Sequence, residues 1–318
     1  MSYILITESV LSSIGTILRH KLNTSSPYTP SEFISAINDI LITDDFMDMR
    51  MSSSEITISN ITKVCDGLFA NAKYLVSINL PNCSYMGESA FYNNNGVRYI
   101  YSYYDDGYGS STPIYSYSGG LSYISIPNCN YIGNYAFQSC TKLSSISLPN
   151  CSHIGYSAFQ SCTSLSSISI PNCSYIGYNA FQSCTSLSSI SIPNVSYINY
   201  TAFSNCYNLS SISIPNCSYI GDYAFYECSN LSYISIPNCS YIGNSAFYDC
   251  TKLESIYVLS TSIPTLSNIT VFYVTPIETS IYLGYYGSIY VLSSMVNAFK
   301  TADNWSDYSD RITAYTGT

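Results

Sequence analysis

Charge is what this sequence has least of. Only 9% of its 318 residues are charged, and 10 basic against 19 acidic side chains leave a net charge of −9. Neutralising nucleic-acid phosphates takes clustered Lys and Arg, so no nucleic-acid partner is expected. The same deficit argues against an anionic membrane surface. Histidine is almost missing: His20 and His153 are far apart, and neither sits in a nucleophile motif. Between Leu121 and Cys250 the charged residues are Lys142, Asp222, Glu227 and Asp249. General acid–base chemistry needs convergent ionisable groups, so the chain is expected to be no enzyme and to need no cofactor. Long apolar runs are missing as well; a span needs roughly 20 such residues, and no membrane insertion is expected. The opening MSYILITESVLSS lacks the basic, apolar and small-residue parts of a secretory signal. The expectation from this is folding in a cytoplasm, the alternative being an export signal absent from this sequence.

What is plentiful is tyrosine, with 35 copies against 12 Phe and one Trp. Its apolar ring and polar tip suit a surface that binds without being greasy. What is regular is a repeat of about 22 residues, the mark of a solenoid with one coil per unit. LSSISLPNCSHIGYSAFQSCTS (143–164) is followed by LSSISIPNCSYIGYNAFQSCTS (165–186). Further units start at Leu187, Leu209, Leu231 and Leu253, and earlier ones at Leu121, Val97, Leu75 and Ser53. Within a unit Leu143, Ile146 and Leu148 follow L-x-x-I-x-L, and Ile146 and Leu148 alternate with Ser as in a half-buried strand. Pro149 ends the strand. Ile154, Ala158, Phe159 and Cys162 supply the inward side of the return path.

The cysteines raise the first functional question. Cys129, Cys140, Cys151, Cys162, Cys173, Cys184, Cys206, Cys217, Cys228, Cys239 and Cys250 recur every half period, and Cys65 and Cys83 precede them. A disulfide framework, a zinc array and a packing ladder all fit even spacing. An odd total of 13 is against disulfides, and the lack of a C-x-x-C pair is against zinc. Val195 decides, because valine can replace a packed thiol but neither a disulfide partner nor a ligand. The ladder is expected to be structural, of buried thiols, with no metal site.

The motif I-x-I-P-N-C-x-x-I-G-x-x-A-F-x-x-C resembles the BspA-like leucine-rich repeats of bacterial surface proteins. The resemblance implies an α/β-type solenoid with a parallel β-sheet, used for adhesion and not catalysis. Ten coils over 53–258 are expected, including an irregular unit at 97–120. Ahead of it, TESVLSSIGTILRHKL and TPSEFISAINDIL read as a helical hairpin, with Thr29, Pro30 and Glu32 forming a capping box. This segment (1–41, before a linker at 42–52) resembles modules that begin tail-associated proteins of gut bacteriophages and prophages. It implies attachment to tail or virion proteins, localisation in a phage virion, and leaves a homo-oligomer open. The end, SIYVLSSMVNAFKTADNWSDYSDRI, is similar to the strand–helix cap of many BspA-like proteins, giving a cap over 259–318. The favoured expectation is a phage tail component contacting a bacterial surface; the alternatives are a cell-surface adhesin and a structural spacer.

Three features could bind. The Ser144, Ser145 and Ser147 positions recur as a serine face, either solubilising or offering hydroxyls to a glycan. Tyr85, Tyr131, Tyr175, Tyr197, Tyr219 and Tyr241, with His153 among them, form a ladder that is either structural or a platform for sugar faces or another protein. The irregular unit holds Tyr99, Tyr101, Tyr103, Tyr104, Asp105, Asp106, Tyr108, Tyr115 and Tyr117, a composition shared with antibody paratopes. It is expected to be the contact for a bacterial surface glycan or protein, against the alternative of a decayed repeat. Tyr282, Tyr285 and Tyr286 are a weaker cluster. Asp44, Asp45 and Asp48 fit no calcium-loop spacing and read as linker.

Overall fold

The computed structural model describes residues 56–57, 59, 62–71, 75–105, 111–278 and 287–317. The helical hairpin expected over 1–41, the linker with its three aspartates, and the Tyr282, Tyr285 and Tyr286 cluster lie outside these residues.

Each unit makes one coil. In the coil from Leu143, the strand Ser145–Ser147 runs exposed, buried, exposed, because only Ile146 of the three is apolar. A turn at Pro149 and Asn150 follows, then the short return strand His153–Ile154. Leu143, Ile146, Leu148, Cys151, Ile154, Ala158, Phe159 and Cys162 are all buried. A continuous helix cannot form in the return half, since Ser157 and Ser161 take left-handed φ values of 50° and 60°. Their N–H groups instead reach the next coil, each 2.8 Å from the carbonyls of Tyr178 and Gln182. Among the described residues the one α-helix is Val296–Thr301.

Stacking the coils gives parallel sheets. The return strands form one nine-stranded sheet, from Lys63–Val64 to Thr265–Leu266. The front strands form a six-stranded sheet ending at Ser189–Ser191 and a five-stranded one beginning at Ser211–Ser213. The break falls at the coil from Leu187, the same coil that carries Val195 for Cys and Asn199 for Gly. Between the sheets Phe69, Phe91, Phe137, Phe159, Phe181, Phe203, Phe225, Phe247 and Phe272 stack at 4.9–5.6 Å. That separation is close to the strand spacing of a sheet.

The unit from Val97 is not a coil. Val97–Asp105 and Ser111–Ser118 pair antiparallel with each other. The strand Ser77–Asn79 pairs past them, directly with Tyr123–Ser125, and Tyr85–Met86 pairs with Tyr131–Ile132. The reason is local: this stretch has no I-P-N-C and no A-F-x-x-C, so it cannot fill a coil's core. The spacing of about 22 residues resumes with Tyr123–Ser125, and the solenoid has about 10 turns. Residues beyond 258 complete the coil begun at Leu253 through Thr265–Leu266 and Phe272. A further front strand, Ser288–Val291, pairs with Ser255–Val258 and then with Ile312–Ala314.

The end is closed by burial. Trp305 is fully buried, and its indole N–H donates to the Pro264 carbonyl at 2.7 Å. Tyr308 donates to Ile269 at 2.5 Å, and Asn304 to Leu266 at 3.0 Å. Three polar handles thus anchor the cap to the last return strand, where open coil ends would otherwise expose core.

Candidate functional site

The thirteen cysteines are all free thiols; Cys65 is exposed and the other twelve are buried. Two corner geometries recur. At the P-N-C corner the thiol donates to the carbonyl two residues on, as Cys173 does to Tyr175 at 3.1 Å. At the other corner it donates to the phenylalanine carbonyl of the preceding coil, as Cys162 does to Phe137 at 3.0 Å and Cys184 to Phe159 at 3.1 Å. Burial pushes Cys173 and Cys184 up to about 12, so neither is a thiolate at neutral pH and neither is a nucleophile. Among the described residues no group of three or more His, Cys, Asp or Glu could hold a metal.

The serine face divides into two sets. Ser166, Ser188, Ser210 and Ser232 donate to the serine carbonyls one coil back at 3.1–3.2 Å, so these hydroxyls hold the stack. Ser145, Ser147, Ser167, Ser169 and Ser189 make no side-chain hydrogen bond among the described residues. They line, with Tyr123, Pro127 and Pro149, an open groove of about 600 Å³ on the front sheet. The P-N turn is structural too: Asn150 and Asn172 donate to Pro127 and Pro149 at 3.0 and 2.7 Å.

The tyrosine-rich segment is displayed from the scaffold, not built into it. Its register sets Tyr99 opposite Ser116, Tyr103 opposite Pro113, Tyr104 opposite Thr112 and Asp105 opposite Ser111. Tyr115 lies opposite Ile100 and Tyr117 opposite Arg98, and Tyr101 falls at the step in register between Ile100 and Ser102. Asp106 and Tyr108 lie outside the described residues. The neck is narrow: Gly120 has φ +85°, and a Cβ there would sit 2.7 Å from the Gly96 nitrogen. Beneath it Asn94 takes the place of a ladder cysteine. Its fully buried amide donates to Phe69 at 2.7 Å and to Phe91 at 3.0 Å. The neck residue Gly120 lies three residues before Tyr123, which lines the groove.

A family model for the BspA type leucine-rich repeat region matches in six copies, over residues 41–103, 111–218 and 152–282. These matches take in well over half of the chain. The chain belongs to the BspA type leucine-rich repeat family. No curated protein matches its sequence. Among solved structures it is similar to a leucine-rich repeat protein of T. pallidum, at 25% identity over 47% of this chain and 72% of that one, with a TM-score of 0.41. It is also similar to a leucine-rich repeat protein from Bacteroides ovatus, at 24% identity over 73% and 59%, TM-score 0.49. The pneumococcal vaccine antigen PcpA is a third, at 16% identity over 84% and 61%, TM-score 0.47. The chain thus spans about three fifths of the latter two. Membership places it among solenoids of protein interaction and adhesion.

In this BspA type chain the tyrosine ladder presents edges more than faces. Tyr85, Tyr131, His153 and Tyr175 stack at 4.5–4.9 Å within 7° of parallel. A sugar cannot lie on a face that another ring already covers. Asn94 and Asn199 were not singled out as expected site residues. Both were visible as departures in register, Asn94 as A-F-Y-N-N for A-F-x-x-C and Asn199 as I-N for I-G.

Proposed function

We propose that this protein is a non-enzymatic adhesin of the bacterial cell-surface type. Its contact with a surface glycan or protein is made by the hairpin of 97–118, beside the hydroxyl-lined groove. One observation carries the reading: the coils on either side stack as though the hairpin were absent. Phe91 packs on Phe137 at 5.4 Å, and the Cys140 thiol reaches back to Phe91 at 3.1 Å. A segment that the scaffold does not use is free to be shaped by a ligand, as binding loops on rigid scaffolds are. The phage-tail reading rests on residues 1–41, outside the described region, whereas the family match favours the surface adhesin.

The experiment is a whole-cell binding assay with Tyr99, Tyr101, Tyr103, Tyr104, Tyr115 and Tyr117 replaced by Ser. Binding is expected to be lost with the thermal midpoint unchanged. Undiminished binding by a folded variant refutes the assignment to the hairpin.

A further inference from the structure

The coil from Leu187 interrupts the return face as well as the front one. Along the ladder, successive rings touch, except in one place. Tyr219 stacks on Tyr241 at 5.0 Å, and Tyr197 approaches Tyr219 tilted by 36° at 5.9 Å. Tyr175 and Tyr197 are in register on neighbouring strands, yet their rings make no contact. One face of Tyr175 is covered by His153 and the other is not covered by Tyr197. Tyr197 is 51% exposed, and on the same two coils Tyr178 and Tyr200 are 49% and 44% exposed, Tyr200 edge-on to Tyr223 at 5.6 Å.

The opening coincides with Asn199. At the equivalent positions a Cβ on Gly177 or Gly221 would lie 2.7–2.8 Å from the backbone of the previous coil. Asn199 carries a side chain there, and its amide donates to the Ile176 carbonyl at 2.7 Å. Burial, and then the nearby Tyr178 phenol, raise the pKa of Tyr175, while a hydrogen bond from Asn199 works the other way. Burial raises Tyr219 too, with Tyr241, Asp222 and Tyr178 adding to it.

The surroundings select the ligand. From Leu143 to Gly221 there is no Asp, Glu, Lys or Arg. The nearest charge, Asp222, belongs to the next coil, and its carboxylate already accepts from the Asn244 N–H. Open ring faces take the C–H faces of a pyranose, and phenol and amide tips take its hydroxyls. We infer that Tyr175, Tyr178, Tyr197 and Tyr200, with Asn199, form a site for a neutral polysaccharide, separate from the hairpin.

Affinity electrophoresis through gels containing laminarin or yeast mannan tests this, with alginate as the anionic probe. Retardation by a neutral polymer is expected, weakened about tenfold by Tyr178→Ala or Tyr197→Ala, the scale of one lost aromatic anchor. Tyr131→Ala, which removes a ring stacked on both sides, controls for folding and is expected to leave retardation intact. Asn199→Gly is expected to let Tyr175 and Tyr197 close and to abolish it. The chain lacking 98–117 is expected to be retarded as before, which separates this site from the hairpin. No retardation in either neutral polymer, retardation by alginate alone, indifference to Tyr178→Ala and Tyr197→Ala, or loss on removing the hairpin each overturns the inference.

Discussion

Cys162 and its equivalents sit where each coil turns back toward the front sheet, and the thiol serves two purposes there. It fills the corner as a small apolar group, and its S–H donates across to the Phe137 carbonyl of the preceding coil, which also accepts from the Cys140 N–H. Val195 stands at the other, P-N-C corner, where it keeps the packing role of Cys173 and gives up that thiol's donation to a carbonyl. Asn94 keeps the second, with an amide in place of the thiol, below the hairpin neck. Burial of the other twelve predicts that a thiol reagent at neutral pH labels one cysteine, Cys65, in native protein and thirteen after unfolding. Labelling of many thiols in the native state, or few after non-reducing denaturation, would contradict the ladder. His153 is the other residue with a titratable consequence. Burial between Tyr131 and Tyr175 lowers its pKa. A folded pKa below the unfolded value of about 6.5 makes the unfolded chain take up the proton first. The His153 contribution is therefore whole above that pH and is lost as pH falls through the folded pKa. His153→Tyr, the ladder's usual residue, should flatten the fall in melting midpoint below about pH 6.5 relative to the parent.

At the scale of the coil, the glycine after the return strand matters because backbones meet there without room for a side chain. A Cβ on Gly177 would lie 2.7 Å from the Gly155 carbonyl carbon. Backbone cannot move aside as a flexible side chain can, so Gly177→Ala is expected to cost about 1–3 kcal/mol, read from the denaturant midpoint. Asn199 stands at the equivalent place in its own coil, and its side-chain amide donates to the Ile176 carbonyl, the position that a glycine N–H takes at Gly177 and Gly221. The terminal element depends on one residue in particular. Removing the Trp305 side chain leaves a cavity against Phe272 and Phe299 and an unpaired Pro264 carbonyl. Trp305→Ala should cost about 3–5 kcal/mol. In a repeat protein whose units contact mainly their neighbours, that loss should appear first as faster hydrogen exchange over 288–314, with the coils before Leu187 unaffected.

At the scale of the molecule, the solenoid is a nearly uncharged scaffold interrupted twice, by the hairpin at 97–118 and by the coil from Leu187. Both interruptions leave the buried core continuous, so substitutions at the exposed tyrosines are expected to change binding without lowering stability. Excision of 98–117, rejoining Val97 to Ser118, should keep the melting midpoint while cell binding is lost. Because the stretch from Leu143 to Gly221 carries no charge, neutral-polymer retardation should be unchanged between low and high salt, where a charge-driven contact would be screened.

The period, the inward residues and the packing role of the cysteines could be read from the chain alone, since a solenoid repeats one local solution and each unit states its own core. The family resemblance followed from the same motif. Tertiary structure decided what local pattern could not. Length alone counted the unit from Val97 as a coil, but membership of a ladder depends on pairing with both neighbours, and Ser77–Asn79 pairs past it. Equally, the tyrosines at 175 and 197 look identical to the others in sequence. Whether a ring's face is open depends on the ring of the next coil, and that is set by how the side chain at Asn199 holds two coils against each other.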